Sequence, residues 1–168
     1  MSNKTNFILE YLFVVLLGTL LHFLYELSGK NAIVALFCPI NESTWEHMKL
    51  IYFPMLIYAL IQSRFFKDSN NYWCIKLMGI LTGLTLIPVL FYTYNGVFGK
   101  SPDFVNIAIF FFAAAVAFSI ENYLFKKGNP QCKYNKFTFL IIIFIGLLFV
   151  IFTFIPPQLP LFKDPTTE

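Results

Sequence analysis

Phe137-Thr-Phe-Leu-Ile-Ile-Ile-Phe-Ile-Gly-Leu-Leu-Phe-Val-Ile-Phe-Thr-Phe-Ile155 carries no charged side chain over nineteen consecutive positions. A helix rises about 1.5 Å per residue, so roughly 20 apolar residues cross the hydrocarbon core of a bilayer. The stretch is therefore read as a membrane span, and it sets the reading of the rest of the chain. Moving outward, four further segments have comparable length: about Phe7–Leu27, Thr44–Phe66, Tyr72–Tyr94 and Phe104–Phe125. The purely apolar part of the second is short, so its polar first turns must sit in the headgroup region or in a protein pocket. Composition agrees. The chain has 168 residues, 58% hydrophobic and 12% charged, whereas a soluble domain is about 25% charged. The expected fold is an all-α, polytopic membrane bundle of five transmembrane helices, in one domain over residues 1–168.

Several smaller features refine this picture. Phe7–Leu27 is longer than the apolar region of a signal peptide and lacks an Ala-x-Ala site, so it reads as an uncleaved first span. Ala32–Cys38 is apolar but too short to cross, and reads as an interfacial or re-entrant piece between the first two spans. Pro54 and Pro88 lie inside the second and third spans, where each removes a backbone donor. The tail from Ile155 to Pro165 is rich in proline, which favours an extended path over the surface. Trp45, Tyr52, Tyr92 and Tyr94 fall near one membrane boundary and Trp73 and Tyr123 near the other, as aromatic belts do.

Charge orients the spans. Lys4, Arg64, Lys67, Lys76, Lys126, Lys127, Lys133 and Lys136 fall on one side, and Lys30, Lys49, Lys100 and Lys163 on the other. The positive-inside rule then puts the amino terminus inside and the carboxyl terminus outside, in a multi-pass protein of the cell membrane. The expected partner is the lipid bilayer, with a homo-oligomer or a membrane partner in addition. The net charge of +3 comes without a basic stripe, so nucleic acid is not expected. Cys38, Cys74 and Cys132 form no metal spacing, Cys38 lies opposite the other two, and no disulfide is expected. Glu10 and Glu121 lie near the inner ends of their spans, where Arg64 is the expected partner of one of them.

The chemistry concentrates in Pro39-Ile-Asn-Glu-Ser-Thr-Trp-Glu-His-Met-Lys49. His22 and Glu26, four residues apart, share one face at the end of the first span. Gly18 and Gly29 flank that face and would let another backbone approach. On the second span Ser43, Glu46, His47 and Leu50 fall on one stripe, with Trp45 and Lys49 opposite. Because the connection is short, the two spans are antiparallel neighbours, and His22, Glu26, Glu46 and His47 come within reach of one another. Ser43-x-x-Glu46 also fits a capping box, which accounts for those two residues alone. Two histidines with carboxylates suit a divalent transition metal such as zinc. They equally suit proton transfer or a structural hydrogen-bonded cluster. Asn41, Glu42, Trp45, Lys49, Tyr92, Tyr94 and Asp164 are candidates for contacting a substrate, with Asp164 in a tail that could fold over the mouth as a lid. Asn95-Gly96 reads as a turn and Asp103 as the opening of the fourth span.

These motifs carry a resemblance. Asn41-Glu-Ser-Thr-Trp-Glu-His-Met-Lys49, His22 with Glu26, the Tyr92–Gly96 element and the terminal run Phe152–Pro165 together resemble a family of small integral membrane proteins of unknown function common in Firmicutes. The resemblance covers nearly the whole chain. It implies membership and a membrane location, and no activity. The residues alone lead to three expectations of function. The first is a membrane-embedded, metal-dependent or acid–base enzyme acting on a lipid or isoprenoid-type substrate at the outer leaflet. The second is a small transporter, or the membrane subunit of one. The third is a non-catalytic accessory or assembly protein.

Overall fold

The structure, a computed structural model, describes residues 3–66, 71–127 and 135–165. These residues form six α-helices: α1 (Asn3–Leu27), α2 (Ala32–Ala35), α3 (Thr44–Ser63), α4 (Tyr72–Phe98), α5 (Asp103–Lys127) and α6 (Asn135–Phe154). A 3-10 turn follows at Pro160–Phe162. No strand occurs among the described residues. Lys67, Cys132 and Lys133 lie outside the described residues, as do the side chains of Lys4 and Lys136.

The five long helices run alternately up and down. At one end the last turns of α1 meet the first turn of α3, where the rings of His22 and His47 lie 5.2 Å apart. At the other end the first turns of α1 meet the last turn of α3, where Gln62 donates to Glu10. Helix α3 packs against α1, α4 and α6, and α5 packs against α1 and α4. Helix α4 likewise packs against α3, α5 and α6, so α3 and α4 together form the centre of the bundle.

Among the described residues four helices are long and apolar enough to cross a membrane: Phe7–Leu27 of α1, Tyr72–Phe98, Asp103–Lys127 and Phe137–Phe154 of α6. Helix α3 is not among them, and its position gives the reason. Its neighbours cover its first half, so α3 can carry Glu46 and Lys49, both buried, at its start, while its second half exposes Ile57, Leu60 and Ile61. The other four present aliphatic and aromatic side chains outward, including Leu16, Phe112, Leu140 and Phe144. Between lipid and a helix interior of equal polarity, close packing rather than water exclusion holds helices together. Gly18 supplies one such approach: a Cβ there would stand 2.5 Å from the Leu50 carbonyl oxygen. Gly29 has another role. It meets nothing, and its φ of +69° closes the turn that ends α1.

Several boundaries differ from the sequence expectation. Helix α4 continues past Asn95-Gly96 and stops at Gly99, whose φ is +84°. Asn95 stays helical and uses its side chain to receive the Ser101 N–H at 2.8 Å. Tyr52 is not in an interfacial belt. It is fully buried, and its hydroxyl donates to the Ile142 carbonyl at 2.6 Å. Cys74 is in a disulfide, against the expectation of none, with its partner outside the described residues; Cys38 is free. Spacing along the chain does not decide such a bond, which needs only proximity in space.

Candidate functional site

The chain reaches the site through a loop in which side chains bind several of the backbone amides. The Asn31 side chain caps α2 by accepting the Ile33 N–H. The Asn41 side chain accepts from the Ser43 N–H at 3.0 Å, a local turn bond. The Ser43 hydroxyl accepts the Glu46 N–H at 3.3 Å and caps α3. This is half of the expected capping box. The Glu46 carboxylate turns elsewhere, accepting from the Ile40 N–H at 3.0 Å, the Lys49 ammonium at 2.7 Å and the Thr153 hydroxyl at 3.2 Å.

That arrangement redistributes the expected site residues. Glu46 and Lys49 lie together and buried toward α6, rather than on opposite stripes. The Lys49 ammonium also donates to the carbonyls of Ala35 and Cys38, which fastens the α2 segment to α3. Trp45 packs at a tilt against Phe149 and Phe162, with ring centroids 4.6 and 4.8 Å away, and so clamps the tail to α6. Glu26 is exposed and pairs with Lys30 at 3.5 Å. Tyr92 is exposed beside Phe91, and Tyr94 packs at a tilt against Phe98.

His22, Glu42 and His47 come together. One ligand atom from each lies within 4.8 Å of the others. The two histidines were expected to meet, whereas the carboxylate beside them is Glu42 rather than Glu26 or Glu46. The His47 Nδ1 lies 3.0 Å from the Ser43 carbonyl oxygen. A carbonyl oxygen only accepts, so Nδ1 carries hydrogen and donates. In a neutral ring Nε2 is then an acceptor, yet it faces Glu42 Oε2 at 3.3 Å. Two acceptors facing each other at that distance call for a proton, on Nε2 or on the carboxyl, or a metal ion between them. The His22 Nδ1 is buried and has no hydrogen-bond partner. The bond from His47 holds the Glu42 carboxyl below the usual carboxylate range, with burial acting the other way.

Glu42 and His47 open onto a cleft between α3, α4, α5 and the tail, holding about 770 Å³ with its open solvent included. Its rim is polar, with Asn95, Lys100, Ser101, Asp103 and Asn106, and its floor is apolar, with Leu50, Ile87, Phe91, Ile109 and Phe110. The tail does close one side: the Glu42 N–H donates to Asp164 at 3.2 Å, and Lys100 donates to the Pro165 carbonyl at 3.4 Å. Phe91, Asn95 and Lys100 were not among the expected contact residues. A signal existed for the first two, since they sit one position from Tyr92 and Tyr94 on the other face of the same helix.

The chain belongs to a family of unknown function, DUF6512, which it matches over residues 1–168. No curated protein and no solved structure matches it.

Proposed function

We propose that this member of a family without an assigned activity is a multi-pass protein of the cell membrane that binds a divalent transition metal, such as zinc, at His22, Glu42 and His47. In this reading it acts as a membrane-embedded enzyme on a lipid or isoprenoid-type substrate. Helix α3 is the fifth span, the amino terminus is inside, and the cleft opens at the outer leaflet. The observation that carries the reading is the facing of His47 Nε2 and Glu42 Oε2 while Nδ1 is committed to Ser43. A carbonyl bond on the second ring nitrogen is the usual way a metal-binding histidine is oriented. Two histidines and one carboxylate leave a coordination position open, as catalytic sites do. A bound ion would supply Lewis acidity toward a carbonyl or phosphoryl oxygen or a water molecule.

The chain's own residues fit an amphiphile. Lys100 and Asp103 on the rim offer opposite charges to a head group, and Phe91, Ile109 and Phe110 offer an apolar bed to its chain. The test is metal content of the detergent-purified protein by elemental mass spectrometry. A near-stoichiometric transition metal is expected, lost in His22→Ala, His47→Ala and Glu42→Gln. Metal-free wild type from a chelator-free preparation, still unable to take up added zinc, would sink the reading.

A transporter, or the membrane subunit of one, is the second reading. What favours it is a second group of ionisable side chains buried at the opposite end of the same bundle, where Lys76 meets Glu10 and Glu121.

A further inference from the structure

We propose that this opposite end holds a proton-binding site built from Glu10, Lys76 and Glu121, with the proton on Glu121. The three side chains come from α1, α4 and α5 and are 5%, 3% and 1% exposed. The Lys76 ammonium lies 2.6 Å from Glu121 Oε2 and 3.4 Å from Glu10 Oε1. The expected partner of these glutamates, Arg64, is instead exposed.

The charges do not balance. The rings of Tyr58, Tyr72 and Phe125 surround the ammonium with centroids 5.9, 5.8 and 5.6 Å away. Aromatic faces favour a cation, so Lys76 is charged. One cation against two carboxylates leaves a net negative charge inside helices that are apolar enough to span a membrane. An uncompensated buried charge is costly, and taking up one proton removes it.

The hydrogen bonds select the seat of that proton. Glu10 Oε1 accepts from both the Gln62 amide and Lys76. Glu121 Oε2 accepts from Lys76, while Glu121 Oε1 is buried without a partner. A carboxylate oxygen with no donor is the poorer place for negative charge, so Glu10 keeps the charge and Glu121 the proton. The other titratable groups facing the cluster are the hydroxyls of Tyr58 on α3 and Tyr72 on α4. Tyr72 is engaged with the Ala59 carbonyl at 2.6 Å and Gln62 Oε1 at 3.2 Å. The space for the acid is built into α4: a Cβ on Gly79 would fall 2.1 Å from Glu121 Oε1. Lys76 lies four residues into α4, about 6 Å from its start, close enough to the aqueous end for exchange. The site is independent of the metal reading, and it supplies the ionisable group that proton-coupled transport requires.

Infrared spectroscopy of the full chain reconstituted in liposomes tests this directly. At neutral pH the wild type is expected to show the carbonyl band of one protonated carboxylic acid, shifted in heavy water. Glu121→Gln is expected to lose the band. Glu10→Gln is expected to lose it as well, because Glu121 then ionises against Lys76 one to one. His47→Ala is expected to keep it, which separates this site from the metal centre. A wild type with no such band, or a band that survives Glu121→Gln or Glu10→Gln, overturns the proposal. Should Glu121→Gln not fold, the wild type and Glu10→Gln decide.

Discussion

Lys49 and Lys76 are both buried, each at the start of a bundle helix, and each faces a glutamate side chain at close range: 2.7 Å for Lys49 and Glu46, 2.6 Å for Lys76 and Glu121. Their surroundings differ. Lys49 has one carboxylate and two backbone carbonyls, and the second Glu46 oxygen is taken by Thr153. Within this pair the ammonium and both carboxylate oxygens have partners, with the Thr153 hydroxyl dividing its one proton between Glu46 and the Phe149 carbonyl. Lys76 has two carboxylates, and one of their oxygens is left without a donor. A complete buried network fixes geometry, because any change leaves a group unsatisfied. An incomplete one retains room to take up or give back a proton. The Lys49 end is a lock that joins the α2 segment and α6 to α3, and beside it the histidines are held in register. The Lys76 end is where charge can change.

The largest effect that would break this comparison is on stability. Lys49→Met leaves Glu46 buried without its cation and two carbonyls without a donor. We expect a loss of about 3–5 kcal/mol, the range for removing one member of a buried pair. Lys76→Met is expected to cost less, because Glu121 already carries a proton and the one carboxylate left without its cation, Glu10, keeps the Gln62 amide as a donor. Unfolding of the two variants in the same detergent measures both, and a costlier Lys76→Met would contradict the distinction.

Added zinc is expected to stabilise the wild type by about 2.7 kcal/mol at a hundredfold excess over Kd. The shift should vanish in His47→Ala and persist in Lys76→Met. Thermal unfolding with and without zinc reads it. A shift that survives His47→Ala would place the ion elsewhere.

Gly79→Ala drives a methyl group into the Glu121 carboxyl, and overpacking of this kind costs about 1–3 kcal/mol. In a Glu121→Ala background the same change should cost far less, since the atoms it meets are gone. A double-mutant cycle measures the difference. Additive effects would mean that Gly79 is constrained by something other than Glu121.

The hydrophobic spans were legible because a bilayer imposes length and composition on each segment separately. Helix α3 was the exception, since its polar start is covered by neighbours. Within α3 the pairing of Glu46 was legible and was assigned the wrong way. At about 100° per residue, Glu46 and Lys49 stand about 60° apart on the helix, closer than Glu46 and His47. Glu42 was harder to place. It lies in the loop before α3, so no helical period fixes its direction, and the tail contact that holds its backbone comes from 122 residues away. Lys76, Glu10 and Glu121 sit on three helices, and nothing within one helix reports the register between them. The close approach of Gly79 to Glu121 is visible only once α4 and α5 are packed.

The smallest expected effect concerns the tail, and it sharpens the contrast from the side of the histidines. Asp164 accepts the Glu42 N–H at a half-exposed position, so Asp164→Ala should change global stability by about 1 kcal/mol or less. The Glu42 carboxylate is different in kind from the buried Glu46, because its position depends on a loop that the tail steadies. Loosening that loop should therefore act on the site more than on the fold. We expect zinc affinity to fall by about tenfold, the lower end of the range for residues that orient a ligand, with the infrared band of Glu121 unchanged. Calorimetric titration of zinc into Asp164→Ala and wild type measures it. Equal affinities would show that Glu42 is held by His47 and its own loop alone, and that the tail covers the cleft without shaping it.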